Sequence, residues 1–322
     1  MKAAVLHRYG EAPRYEDFPA PEPQNADQVL LHMKAAAIKN LDKGKASGAH
    51  YSSSALTQPV VVGQDGVGTL PDGTRVYAFG LTGMAAEQAL ADRRRVVKLP
   101  ANLSDVAAAA LPNALFGAAG ALRFRAQVRP GSTVLIQGAT GVTGKVAVQL
   151  ARHYGAARVL ATGRNPESLQ ALRALGADEV ISLHQPDDEL VARFREIHRQ
   201  TPIDCVVDYL WGHPAELLLS ALQGQGATTY PVRYVTVGGM AGDKIQLSSG
   251  TLRSSDIVLS GSGLGSIPDA EMRLVFSEML PELLQLAADG RLTIDTVAVP
   301  LAEVADAWNR EVPTGSRLVV TI

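Results

Sequence analysis

Apolar and polar positions change their period twice along this chain. Over the first hundred residues the apolar runs are short, β-branched and broken by turn residues: Ala3–His7, Val29–Ala36, Pro59–Thr69 and Thr74–Phe79. Gly63, Gly66, Gly68, Pro71 and Gly73 punctuate this stretch, and nothing in it keeps a helical period, so it predicts an antiparallel, partly closed sheet. From Ser104, placed as an N-cap, the texture turns alanine-rich and helix-compatible over Asp105–Ala110 and Ala114–Arg125. A repeating unit then begins. Short apolar strands at Thr133–Gln137, Arg158–Thr162, Glu179–Ser182, Ile203–Asp208 and Arg233–Val237 alternate with helices at Gly144–Tyr154, Pro166–Leu175, Asp188–Arg199 and Pro214–Leu222. That alternation predicts parallel βαβ units and a doubly wound α/β sheet. After Ser255 the β-rich character partly returns, with a strand at Asp256–Gly261, a long helix at Asp269–Asp289 and a last strand at Ser316–Ile322. The expected organisation is a β-rich lobe built from residues 1–117 and 257–322, with an α/β lobe of residues 118–256 inserted into it.

Composition narrows the function classes. A length of 322 residues suits two domains. Thirty basic against 32 acidic side chains leave a formal charge of -2, which argues against a nucleic-acid or acidic-membrane partner. The single cysteine, Cys205, excludes an intramolecular disulfide framework and any multi-cysteine zinc site. The N-terminus lacks a signal peptide's apolar centre, and no segment approaches about 18 apolar residues, so a soluble cytoplasmic protein is expected. The seven histidines show no metal-ligand spacing such as HExxH.

The most informative segment runs from Val134 to Leu150 as a strand, a glycine-rich turn and a helix. In a dinucleotide fold the middle glycine of the turn lets the backbone approach a pyrophosphate, the last lets helix and strand pack closely, and the helix N-terminus supplies amides. Gly141 and Gly144 fill those two places, with Gly138, Thr140, Val142 and Thr143 around them; Ala139 stands where the fingerprint has its first glycine. Alone, this could be a tight structural connection. The next strand supplies context, because it ends in Gly163-Arg164-Asn165, about 20 residues on, where an NAD site wants an acid. A small residue leaves room, and a guanidinium offers a fork of donors to a 2′-phosphate, so the pattern prefers NADP(H). The bland alternative is an exposed cation at a strand end.

The chain resembles a medium-chain dehydrogenase/reductase of the zinc-independent quinone oxidoreductase (zeta-crystallin-like) and enoyl reductase branch. The residues that carry the resemblance are MKAAV at the start, Gly63-Gln-Asp-Gly-Val-Gly, Leu111-Pro112 through Leu122, the run from Val128 to Ala139, Ala174 to Ile181, Asp204-Cys-Val-Val-Asp and the segment from Pro300. The resemblance implies a GroES-like catalytic domain and a Rossmann domain, with the active site in the cleft between them. Zinc-dependent relatives bind metal with cysteine, histidine and usually a second cysteine. The matching positions hold Lys39, Gln64 and Asn113, none of them a normal zinc ligand.

Metal-free hydride delivery suits an electrophile that is already activated, such as a quinone or the β-carbon of an enone, enal or enoyl thioester. The resemblance places Tyr51 as a proton donor, with a loop aromatic covering the cleft as its alternative. Lys39 stands where the quinone reductase pattern has asparagine, and it is expected to polarise the carbonyl or donate a proton, with Asp65 or Asp42 holding its charge; the alternative is a structural ion pair. Gln64 and Asn113 are expected to line the substrate pocket, and Gly238 and Ser260 to lie beside the nicotinamide. The family often has threonine where this chain has Gly117, and some relatives put a tyrosine or lysine near the 2′-phosphate where this chain offers Leu183 and Ser168. Three functions follow as expectations: an NADPH-dependent quinone reductase, a carbon–carbon double-bond reductase, or an NADPH-binding protein of structural or regulatory role. A homodimer paired through Asp256–Gly261 is the expected assembly, an ordinary covered edge its alternative.

Overall fold

A computed structural model describes every residue except Tyr51, Ser52, Ser54 and 225–228, together with the side chain of Leu264. The chain divides into two units, Met1–Pro112 with Asp269–Ile322, and Asn113–Pro268.

The second unit carries a six-stranded parallel sheet in the order Glu179–Ser182, Arg158–Gly163, Thr133–Gln137, Cys205–Asp208, Val232–Thr236, Ile257–Gly261. This is the Rossmann order, in which the chain reverses direction across the sheet between Thr133–Gln137 and Cys205–Asp208. Thr133–Gln137 and Cys205–Asp208 are buried along their whole length, which is why both read as short apolar runs without alternation. The helices between strands bury one stripe each; Asp187–Gln200, for example, turns Leu190, Phe194 and Ile197 inward against Leu218 and Leu222 of the neighbouring helix region.

The first unit is β-rich. Gln28–Ile38, Asp65–Thr69, Arg75–Gly80 and Gln88–Lys98 pair antiparallel in sequence, and Gln88–Lys98 returns to pair with Gln28–Ile38, closing a ring. Asp295–Pro300 and Ser316–Thr321 extend the sheet from Ile38's strand, and Arg14–Asp17, Lys2–Leu6 and Val60–Val61 form a small second sheet. The core gathers Leu31, Met33, Val76, Met84, Trp308 and Val320.

Several expectations need correction. The boundary expected at residue 257 falls instead after Pro268, because Ile257–Gly261 pairs in parallel with Val232–Thr236 and completes the α/β sheet. The helix preceding it, Ser249–Arg253, has only five residues and shows no ten-residue helical period. The first boundary falls at Pro112 rather than residue 117, inside a continuous helix: Asp105–Ala119 runs through Pro112 and on as a wider turn over Gly120–Arg125. Ser104 caps it through a bond from the Ala107 amide. Read as one element, Asp105–Arg125 is long and apolar enough to cross a membrane by length and composition, and 72% of its most apolar stretch is buried within the protein. The run Pro59–Thr69 divides at Gly63, whose φ of +91° turns the chain between Val60–Val61 and Asp65–Thr69.

Candidate functional site

In the α/β unit, the strand Thr133–Gln137 ends at Gly138, whose φ of +78° makes the tight turn. The left-handed residue thus lies one place before Ala139, which explains how alanine can stand in the fingerprint's first position. Thr162 pins the turn: its hydroxyl accepts from the Gly138 amide at 3.1 Å and its carbonyl from the Ala139 amide at 2.8 Å. Gly144 must be glycine, since a Cβ there would stand 2.6 Å from Ala139 Cα and 2.7 Å from the Gly138 carbonyl oxygen. Gly141 is different. A Cβ there would meet only the Gly138 carbonyl oxygen, at 3.7 Å, so the space over this residue is open. Gly141 is also the N-cap of the helix Val142–His153, and no side chain caps that helix. Amides of Val142 and Thr143 in its first turn therefore suit an anionic ligand, with the positive end of the helix dipole behind them.

Gly163 needs a different explanation from the expected one. A Cβ at this buried position would fall 2.5 Å from Thr140 Cγ2 and 3.2 Å from Leu169 Cδ1. Its missing side chain makes room for Thr140 of the glycine-rich turn rather than for a phosphate. Arg164, next in sequence, is exposed, and its guanidinium makes no hydrogen bond or ion pair among the described residues. Asn165 caps the following helix by accepting from the Ser168 amide at 2.8 Å, so its carbonyl oxygen is already used.

Around the turn, Thr143 Cγ2 lies 3.0 Å from where a Cβ on Gly117 would stand, and Tyr209 donates its hydroxyl to the Gly117 carbonyl at 3.3 Å. Gly238 approaches the Tyr209 backbone closely; a Cβ there would be 2.9 Å from its carbonyl oxygen. Ser260 sits on the edge strand opposite Val235. Sequence reasoning passes over Asp208, which is fully buried in this region. The signal available is a carboxylate ending an apolar strand at the sheet's switch point.

The β-rich unit holds the second constellation. Lys39 follows the strand Gln28–Ile38 and caps the helix Asn40–Ala46. It is 1% exposed. Its ammonium donates to the Ala37 carbonyl at 3.0 Å, pairs with Asp42 Oδ2 at 3.1 Å and binds Asp65 Oδ1. Asp42 Oδ2 also accepts from the Lys39 amide at 2.9 Å, and Tyr77 donates its hydroxyl to Asp65 Oδ2 at 2.8 Å. Buried Arg317 feels the same two carboxylates, so two cations face two anions. Burial pulls the Lys39 ammonium toward neutrality, but Asp42 and Asp65 outweigh it and hold the lysine above its ordinary pKa. Burial first, then Asp65, pushes the Tyr77 phenol far above its usual range.

The three N–H bonds of Lys39 thus face three protein oxygens. The expectation that it donates to a substrate is corrected on that ground: the geometry is that of the ion-pair alternative. Gln64 is half-buried, its backbone carbonyl accepting from the Gly80 amide at 2.8 Å, and with Tyr9, Asp42, Leu56 and Val60 it lines a cavity of about 330 Å³. Asn113 is half-buried on the helix Asp105–Ala119 and opens the other unit. Tyr51 lies outside the described residues.

Zinc does not fit this donor set. An ammonium already stands between the two carboxylates, Gln64 and Asn113 offer only amides, and Cys205 is buried in the α/β sheet, its thiol donating to the Ala126 carbonyl at 3.3 Å. Among the described residues no three His, Cys, Asp or Glu side chains converge.

A family model described as zinc-binding dehydrogenase matches residues 142–288, a stretch that contains neither Lys39 nor Gln64. The chain is 28% identical to the probable NADPH-dependent quinone reductase tdiC of Emericella nidulans, over 99% of both chains. It is 33% identical over 85% of its own length to NorB, a protein of the spectinabilin polyketide synthase system of Streptomyces orinoci, but spans only 12% of that protein. Among solved structures, the quinone oxidoreductase of Thermus thermophilus, known also in complex with NADPH, superposes with a TM-score of 0.77 at 29% identity, covering all of both chains. Glycine-rich turn, Rossmann strand order, β-rich partner unit and end-to-end similarity agree: the chain is an oxidoreductase with the fold of the medium-chain dehydrogenase/reductase superfamily.

Proposed function

We propose that this chain is an NADPH-dependent reductase that works without a metal and passes hydride to a quinone or a similarly activated carbonyl compound. The observation that carries the reading is Arg164, an exposed guanidinium without a partner among the described residues, immediately after the strand that packs against the glycine-rich turn. An acid at this place would repel a 2′-phosphate; a guanidinium binds it with paired donors. The open space over Gly141 and the uncapped amides of Val142 and Thr143 suit the pyrophosphate. NADPH, when bound, supplies the hydride. Gly138 and Gly144 hold the turn in shape, and Gly238 and Ser260 stand at the strand ends on the other side of the sheet's switch point.

Lys39 acts here as a positioning residue. Its ammonium holds Asp42 and Asp65, and through Asp65 the adjacent Gln64 on the wall of the cavity. Tyr51 remains the proposed proton donor, and Gln64 and Asn113 the proposed pocket residues.

A second reading, reduction of a carbon–carbon double bond conjugated to a carbonyl or thioester, is favoured by the similarity to polyketide synthase proteins. Both reactions place developing charge on a carbonyl oxygen. We further propose a cytoplasmic homodimer, paired through the edge strand Ile257–Gly261, which has a sheet neighbour on one side only and leaves Val258 53% exposed.

The test is a substrate panel. Purified protein with NADPH is mixed with ortho-quinones, enals and enoyl thioesters while absorbance at the nicotinamide band is followed. Turnover of quinones ahead of the others supports the leading reading, and turnover confined to enals or thioesters supports the second. Binding of NADPH with no oxidation by any member points instead to a structural or regulatory role.

A further inference from the structure

Asp208 has no part in the function derived so far, yet five hydrogen-bond donors meet at this buried residue. It ends the strand Cys205–Asp208 and has no exposed surface. Its Oδ1 accepts from the amides of Leu210 at 2.8 Å and Trp211 at 3.2 Å, and its Oδ2 accepts from the Tyr234 hydroxyl at 2.7 Å. Its backbone carbonyl accepts from the Val237 amide at 2.7 Å and from the Gly238 amide at 3.3 Å. Gln137, last residue of the strand that leads into the glycine-rich turn, lies directly opposite in the ladder.

The turn that this carboxylate holds is strained. Trp211 has φ +54° and ψ −155°, a region used almost only by glycine, and it is one of two described residues other than glycine with positive φ. Its indole meets the Tyr234 ring edge-on, with centroids 6.4 Å apart. Gly212 follows at φ +57°, tight against the Ala241 carbonyl, where a Cβ would be 2.7 Å away. A conformation of this kind persists only when its surroundings impose it. Here they do so through one carboxylate that bonds two successive amides and the phenol on which the indole rests.

What the strain achieves is the placement of Leu210. Its Cδ2 and Cγ lie 2.9 Å from where a Cβ on Gly138 would stand, so the leucine covers the left-handed glycine of the dinucleotide turn. We propose that Asp208 is a positioning residue for the cofactor: by locking the Tyr209–Gly212 turn it presses Leu210 onto Gly138 and keeps the glycine-rich turn in its binding shape. The proposal rests on the reading of that turn as the NADPH site.

Binding is measured rather than turnover. Trp308, buried in the other unit, is replaced by phenylalanine throughout so that Trp211 is the single indole. In this background NADPH dissociation constants are taken by calorimetry, and Trp211 emission reports the turn. Asp208→Leu is expected to shift Trp211 emission to the red and weaken NADPH binding at least tenfold. Asp208→Asn keeps an oxygen for both amides and a partner for Tyr234, and is expected to stay within about threefold of the parent in affinity, with unshifted emission. Leu210→Ala, which leaves the carboxylate intact, is expected to weaken binding at least fivefold without the red shift, and it decides the matter should Asp208→Leu not fold. Affinity unchanged in Leu210→Ala, or unchanged in Asp208→Leu while Trp211 emission shifts, overturns the proposal. A parent protein that does not bind NADPH overturns the cofactor reading itself, so the two failures are distinct.

Discussion

Replacing Lys39 by methionine removes a charge while keeping a side chain of similar length, and its cost follows from the structure. In the wild type two cations, Lys39 and Arg317, face Asp42 and Asp65 in a buried space; the variant leaves the group one negative charge in excess. The Lys39–Asp42 separation of 3.1 Å corresponds to about 5 kcal/mol of attraction at an effective dielectric constant of about 20. Breaking one side of a buried pair costs about 3–5 kcal/mol in general, because the remaining charge stays uncompensated. A loss of about 4 kcal/mol corresponds to a fall of roughly 8–16 °C in Tm for a domain of this size. The variant can recover part of that loss by taking up one proton in place of the missing cation. Its folded state then holds more protons than its unfolded state, so its deficit shrinks toward low pH, by at most about 1.4 kcal/mol per pH unit. Thermal and urea unfolding of both proteins at pH 7.5 and pH 5.5 measure this. A deficit under about 1 kcal/mol at both pH values, or a large one that ignores pH, refutes the idea that Lys39 neutralises this pair. The double variant Lys39→Met with Asp65→Asn should regain much of the loss.

Other consequences are open to direct measurement. Burial, with Asp204 adding to it, pushes the Cys205 thiol up to about 12, so the folded protein should resist thiol reagents at pH 8 and react only on unfolding; rapid labelling of native protein would contradict its burial. Groups whose folded pKa is raised stabilise the fold below their unfolded values and lose that contribution as pH climbs. Stability should therefore fall from about pH 9 upward, Cys205 first, then Tyr77 and Tyr234, then Lys39; a flat stability profile from pH 8 to 11 would count against these assignments. Gly163→Ala should cost about 1–3 kcal/mol through its contact with Thr140 and weaken NADPH binding, and Thr140→Ser should restore part of both. Absence of rescue would mean that Gly163 is needed for something other than Thr140.

The parallel sheet is legible in the sequence because its strands are buried on both faces and its helices show one apolar stripe, so texture and period change together. The edge strand Ile257–Gly261 escapes assignment to that sheet because a five-residue helix replaces the usual crossover pattern before it. In the β-rich unit the long strand Gln88–Lys98 is hidden: Arg93, Arg94 and Arg95 in succession mask its alternation where the strand leaves the core. The helix through Pro112 reads as two pieces, since a proline inside a helix ordinarily ends it. At the site, residue identity is enough to single out Lys39 and Arg164. What each does depends on partners distant in sequence: Asp65 lies 26 residues from Lys39. Gly163 stands out in the sequence for a reason the structure replaces, because its neighbour Thr140 becomes visible only when the turn is folded against the strand. Asp208 shows in the sequence only as a carboxylate ending an apolar strand, and the strain at Trp211, which it holds in place, has no sequence signature of its own.

The central claim, that this is an NADPH enzyme by virtue of Arg164, is tested most directly by calorimetric titration of the wild type and Arg164→Ala with NADPH and NADH. The expected result is at least a tenfold preference for NADPH in the wild type, erased in the variant by weaker NADPH binding while NADH affinity stays the same. Equal affinities for the two nucleotides in the wild type, or a preference that survives the loss of Arg164, would contradict it.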